Sequence, residues 1–170
     1  MEIRTVRPDE WRELRALRLR ALADAPDAFG ATYDEEATNA DDAWQFRADR
    51  PDGRMIVAVD AAGGFVGMGS GGTAPDHPEF AAIYGMWVDP SVRGQGVGSE
   101  IIRLIAEWAR EAGYGAIGLG VTIGNDSATA LYAHLGFRDT GIRFPMREGT
   151  DLTIQVMSVS LDDLAAYFAP

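Results

Sequence analysis

The sequence predicts one mixed α/β domain over residues 1–170, and three observations carry that reading. An almost wholly apolar run, Ala81 to Val88, passes through a glycine-rich turn into the most regular helical pattern of the chain. A second apolar run, Ala116 to Ile123, follows that helix. Strand, helix, strand in this order implies a local parallel pair joined by a right-handed crossover. Finally, helical patterns precede this unit and strand patterns follow it, with no internal repeat or linker to split the chain.

The elements can be justified in turn. Pro8 to Pro26 reads as a helix, with start signals at Pro8 and Asp9 and an apolar stripe at Trp11, Leu14, Leu17, Ala21 and Leu22. Asp41 to Asp49 reads as a short second helix that ends before Pro51. Residues 54–60 and 65–72 flank a glycine-containing turn and read as a β-hairpin. The run Ala81–Val88 should be a strand buried on both faces. Beyond it, Ile101, Ile102, Leu104, Ile105, Trp108, Ala109 and Ala112 form one apolar face at helical period, closed by Gly113. Ala116–Ile123 reads as another buried strand. The next helix runs from a cap at Asn125 or Asp126 to a glycine stop at Gly136. The tail reads as two strands joined near Glu148 to Asp151, then a helical turn at Asp162–Phe168. In the last strand the alternation Leu152, Ile154, Val156 slips to Met157, Val159, Leu161, which predicts a bulge near Val156.

Composition bounds the function. A hydrophobic content of 46% and a mean hydropathy of -0.10 describe a folded, water-compatible chain. Met1 to Asp9 has no apolar signal core, and no apolar run approaches the roughly 18 residues that span a bilayer. A cytoplasmic protein is therefore expected. There is no cysteine, which excludes disulfides, thiolate metal sites and a cysteine nucleophile. With only His77 and His134 available, no metal site is expected. The net charge of -11 argues against nucleic acid or an anionic membrane as partner.

The segment Val88–Ile101, VDPSVRGQGVGSEI, carries the chemistry. A helix N-terminus offers unpaired N–H groups and partial positive charge. Glycines ahead of it clear Cβ atoms, so several N–H groups can meet one phosphate. Arg93 adds a guanidinium suited to phosphate oxygens. A side chain at Gly96 is expected to occupy the phosphate's place. The turn reads G-x-G-x-G, which is neither the Walker A loop nor the dinucleotide fingerprint. A ligand-free glycine turn and a nucleotide-binding domain are the competing readings.

The stretch MWVDPSVRGQGVGSEII resembles the acyl-coenzyme A signature of the GCN5-related N-acetyltransferase (GNAT) superfamily, [Q/R]-x-x-G-x-[G/A], with Arg93, Gly96 and Gly98 at its specified positions. NDSATALYAHLGF is similar to the family's downstream segment, and RALADAPDAFGATYDEE to the substrate-side segment of many bacterial members. The resemblance implies a mostly antiparallel central sheet, flanked by helices, whose parallel pair is splayed where acyl-CoA binds. It implies that the backbone of Arg93, Gly94, Gln95, Gly96, Val97, Gly98 and Ser99 holds the coenzyme A pyrophosphate. Free backbone groups of Trp87 and Val88 would pair with pantetheine, and an N–H there would polarise the thioester. Asn125 would meet pantetheine or simply cap its helix. Tyr132 would be the general acid toward the leaving thiolate, or a core residue on the stripe of Ala128, Leu131 and Leu135.

The implied activity is transfer of an acyl group, acetyl-CoA being the expected co-substrate, to a primary amine of a small molecule or peptide. Direct attack in a ternary complex needs no covalent intermediate. A non-catalytic acyl-CoA-binding or regulatory domain of the same fold is the alternative, because no acidic residue lies within the run Phe80–Val88 to serve as base. Phe29, Tyr33, Glu36 and Glu79 are the substrate-side candidates, with Glu35 beside them, and each glutamate reads equally as a surface acid. A homodimer through the tail strands is compatible with the sequence.

Overall fold

The computed structural model describes residues 1–169. Seven strands form one sheet in the order β1-β2-β3-β4-β5-β7-β6. They are β1 (Glu2–Thr5), β2 (Gly53–Val59), β3 (Phe65–Ala74), β4 (His77–Val88), β5 (Ala116–Thr122), β6 (Arg138–Pro145) and β7 (Thr153–Ser160). The helices are α1 (Trp11–Asp24), α2 (Tyr33–Ala37), α3 (Asp41–Ala48), α4 (Val97–Glu111), α5 (Asp126–His134) and α6 (Leu161–Phe168). Every adjacent pair of strands is antiparallel except β4 and β5, which are parallel as their helical crossover requires. The mixed, mostly antiparallel architecture matches the expectation. No helix among the described residues is long and apolar enough to cross a membrane.

The sheet is covered on both faces, and β2 shows how. Val57 and Val59 pack with Trp11, Leu14, Leu17 and Trp44 from α1 and α3. Ile56 and Ala58 pack on the other side with Ile101, Ile102 and Ile105 from α4. The two-faced burial expected of Ala81–Val88 thus belongs to β2 and β3 instead. In β4, Ala81, Ile83 and Trp87 are buried, but Tyr84 is exposed, because the strand beside it has already diverged.

A row of missing side chains brings α4 close. Gly67, Gly69 and Gly71 alternate along β3 and so share one face. A Cβ on Gly69 would meet Ile101 Cγ2 at 2.8 Å, and one on Gly71 would meet the Trp108 ring at 2.6 Å and Ile105 Cγ2 at 2.7 Å. The apolar stripe of α4 therefore lies almost on the backbone of β3.

Three differences from expectation have local causes. β1 pairs with β2 from Glu2↔Val59 to Thr5↔Ile56, yet its four residues are too few for a periodic signal. α2 is a single capped turn, with Thr32 accepting from the Glu35 N–H and Glu35 bonding back to the Thr32 N–H. The predicted irregularity at Val156 exists, but β7 does not carry it. β7 pairs with β5 without interruption from Ser160 to Ile154. The register slips on the β6 side between Asp139 and Arg143, where Gly141 has φ +83° and Thr140 Oγ1 donates to the Val156 carbonyl at 2.9 Å.

Candidate active site

β4 and β5 are paired only from Ala81↔Ile117 to Ile83↔Leu119. Beyond Ile83 the β3–β4 register shifts by one residue between the Ser70↔Tyr84 and Met68↔Trp87 pairs. Gly85 sits in that bulge with φ +62°, a left-handed conformation that favours glycine. The bulge bends β4 away from β5 and opens a gap. The Asp89 N–H donates to the Val66 carbonyl at 2.8 Å. Strand alternation then turns the backbone of Trp87 toward β3 and the N–H groups of Val88 and Met86 toward the gap. The Val88 carbonyl accepts from Arg93 Nε at 2.8 Å.

The glycine turn lies at the mouth of this gap. Gly94 and Gly96 have φ +76° and +80°, and Gly96 is the left-handed residue from which α4 starts, with no side-chain cap. The first helical bond runs from the Glu100 N–H to the Gly96 carbonyl. The N–H groups of residues 94–99 have no acceptor among the described residues. Open space surrounds the Cβ positions of Gly94 and Gly96. Gly98 differs: its Cβ would meet Leu131 Cδ2 at 3.1 Å, so it serves the contact between α4 and α5. Asp24 braces the turn from behind, accepting from Trp87 Nε1 at 3.0 Å and Arg93 Nη2 at 3.1 Å.

The gap continues inward as a narrow cavity of about 60 Å³, lined by Phe29, Met86, Asn125 and Tyr132 among others. Asn125 caps α5, its Oδ1 accepting from the Ala128 N–H at 3.3 Å, and it also faces this cavity. Tyr132 is 6% exposed, and burial pushes its phenol up to about 12. It therefore stays protonated at neutral pH and can only donate to an anion. Phe29 is fixed because Thr122 Oγ1 donates to the Asp27 carbonyl at 2.7 Å and Arg147 Nη1 to the Phe29 carbonyl at 2.8 Å.

A second cavity, of about 190 Å³, lies on the other side of the bulge, between α1, α2, α3 and β2–β4. Gly85 lines both cavities. Glu36, 4% exposed, stands in its wall and takes three hydrogen bonds, from Arg18 Nε (3.1 Å), Arg18 Nη2 (2.8 Å) and Arg47 Nη1 (2.7 Å). Burial alone would raise its pKa, but the hydrogen bonds from Arg18 and Arg47 outweigh burial and hold it below the usual range. Of the other substrate-side candidates, Tyr33 is exposed at the start of α2 and Glu35 is spent on capping. Glu79 pairs with His77 at the far end of β4, six residues or about 20 Å from Gly85. Among the described residues no cluster suited to a metal ion occurs. Sequence reasoning passed over Gly85, Arg18, Arg47 and Arg50; for Gly85 there was a signal, since glycine inside an apolar strand marks a bulge.

Comparison with known proteins agrees with this geometry. The family model described as acetyltransferase (GNAT) family matches residues 11–137. The N-alpha-acetyltransferase RimI of Mycobacterium tuberculosis is 34% identical over 89 residues, 46% of this chain and 54% of that protein. The streptothricin acetyltransferase of Streptomyces lavendulae is 34% identical over 110 residues, 58% of this chain and 52% of that protein. The chain thus spans about half the length of these curated relatives. In fold it is similar to a GNAT-family acetyltransferase of Streptococcus pneumoniae, with TM-score 0.79, 17% identity and 94% and 98% of the two chains covered. It is also similar to yncA of Salmonella typhimurium, solved with its cofactor acetyl-CoA, with TM-score 0.75, 20% identity and 95% and 94% covered. A mostly antiparallel sheet with one parallel pair that parts after Ile83, and a glycine turn opening the helix between them, defines the fold class. The chain belongs to the GNAT acetyltransferase family.

Proposed function

We propose that the chain is an acetyl-CoA-dependent N-acetyltransferase that moves acetyl to a primary amine by direct attack in a ternary complex. The observation that carries this reading is the run of unpartnered N–H groups at residues 94–99, set at the end of a strand pair that parts after Ile83, with two cavities sharing Gly85 at the parting. Coenzyme A would rest its pyrophosphate on the turn and thread pantetheine between β4 and β5. The N–H groups of Val88 and Met86, on the open side of β4, are the donors available to the thioester carbonyl. Such fixed donors typically contribute about 10²–10³ in rate. The amine, entering past Gly85, bonds to the acetyl carbon and expels the thiolate. Tyr132 delivers its phenol proton to the departing sulfur and regains one from water.

The attacking nitrogen must be neutral. Glu36 is already saturated by two guanidinium groups, so the amine proton leaves through water rather than to a dedicated carboxylate. The test is thiol release from acetyl-CoA with a broad amine panel. Amine-dependent release is expected. Tight binding of acetyl-CoA without release on any amine would instead favour a non-catalytic acyl-CoA-binding domain, the reading that the missing β4 carboxylate supports.

A further inference from the structure

The acceptor cavity has an apolar floor of Leu14, Met55 and Met68, and the charged groups in its wall are mostly hydrogen-bond donors. Arg18, Arg47 and Arg50 line it against one carboxylate, Glu36, an excess of two positive charges in a chain whose net charge is -11. Glu36 occupies Arg18 Nε and Nη2 and Arg47 Nη1. That leaves Arg18 Nη1 free, and it sits at the doorway: a Cβ on Gly85 would be 3.5 Å from it. Arg50 makes one bond, through Nε to the exposed Asp52 at 3.2 Å. Its guanidinium lies in space vacated by two glycines, since a Cβ on Gly53 would meet Arg50 Nε at 2.7 Å and one on Gly72 would meet Arg50 Nη2 at 3.1 Å.

We propose that this cavity selects an acceptor bearing a carboxylate as well as the amine, a small free amino acid, with Arg50 and Arg47 receiving the carboxylate and the amine directed to Gly85. The proposal rests on the acetyltransferase reading and names its substrate class. A cavity of about 190 Å³ suits a molecule of that size. Diamines and polyamines would bring positive charge to an already positive chamber. The same positive potential disfavours the ammonium form of an incoming amine, which helps a site whose only carboxylate is engaged.

The experiment compares matched ligands: an amino acid, its carboxamide and its decarboxylated amine as acceptors, and the N-acetyl amino acid and its carboxamide as ligands in calorimetry. The free acid should be preferred over the carboxamide by about ten- to a hundredfold in kcat/KM, as expected for charged hydrogen bonds. Arg50→Gln should shrink that ratio by roughly tenfold, and Arg50→Lys, which restores a charge, should recover part of it. Equal or better use of the carboxamide or a diamine, or a ratio unmoved by Arg50→Gln, overturns the proposal while leaving the transferase reading intact. If no acceptor is acetylated, calorimetry still decides: Arg50-dependent binding of the N-acetyl acid over its amide upholds the carboxylate site and sinks the transferase reading alone. No discrimination there refutes the site.

Discussion

Substituting Gly96 and Gly98 separately by alanine distinguishes two roles that the signature pattern merges. At Gly96, φ is +80° and nothing lies within 4 Å of a new Cβ, so the cost is backbone strain rather than collision. Left-handed alanine costs about 1–2 kcal/mol, or a few degrees of Tm for a chain of this length. If the backbone relieves the strain by rotating, the N–H groups of residues 96–98 lose their aim. Each hydrogen bond to a charged oxygen contributes about 1.5–3 kcal/mol, so losing one weakens coenzyme A binding by about ten- to a hundredfold. At Gly98 the backbone is helical and the new methyl faces Leu131 Cδ2 at 3.1 Å, the end of a side chain that can shift a few tenths of an ångström. Removing a helical glycine favours alanine by up to about 1 kcal/mol, which offsets the squeeze. Calorimetry with coenzyme A should give Gly98→Ala a Kd within about threefold of the parent, and Gly96→Ala one at least about tenfold weaker. Equal losses at both positions, or an unchanged Kd for Gly96→Ala, would refute the idea that the N–H groups of this turn hold the pyrophosphate.

Tyr132→Phe should lower kcat far more than it changes the Kd for acetyl-CoA, because the ring stays packed and only the proton donor is lost; an unchanged kcat in steady-state assays would make Tyr132 structural. Gly71→Ala should destabilise the protein by about 1–3 kcal/mol by driving a methyl into the Trp108 ring, read as a lower urea midpoint with an unchanged slope. Glu36 also sets a pH dependence. Its folded pKa is depressed by Arg18 and Arg47, so its contribution to stability is present above the unfolded value of about 4.3 and fades as pH falls through the folded value. The gap in urea midpoint between the parent and Glu36→Gln should be wide at pH 6.5 and narrow below pH ~4; a constant gap would mean that the ionised carboxylate contributes nothing.

What was readable in the sequence followed from local periodicity. α4 was visible because seven apolar residues recur on one face, and its place between two apolar runs fixed the parallel pair. The Gly94–Gly96 turn was visible because closely spaced glycines between an apolar run and a helical pattern mark a strand-to-helix turn, although the spacing alone left its ligand open. β4 was misjudged as doubly buried, since the one hint that β5 leaves it after Ile83, the glycine at 85, is outweighed by the unbroken apolar run around it. The slip near Val156 was sensed through β7 but sits in β6, because a fault in one strand of a pair also rephases the pattern of its partner. The cavity on the α1 side of Gly85 was the least legible part. Arg18 and Arg47 lie on different helices and Arg50 in the turn that follows α3; their convergence depends on α1 and α3 packing over the β2–β3 hairpin, which no spacing encodes.

The doorway at Gly85 has a consequence for how such a protein can diversify. Apart from Ala28 and Phe29, the donor channel is walled by residues from Ile83 onward, while the acceptor chamber is walled by residues up to Gly85. On the proposed reading, grip on the carrier would fall mostly to residues from Ile83 onward and choice of recipient to residues up to Gly85, the two tasks meeting at a single codon. Substitutions in the chamber wall that spare Asp24, Ala28 and Phe29 would then alter the recipient without touching the residues that line the channel or brace the glycine turn.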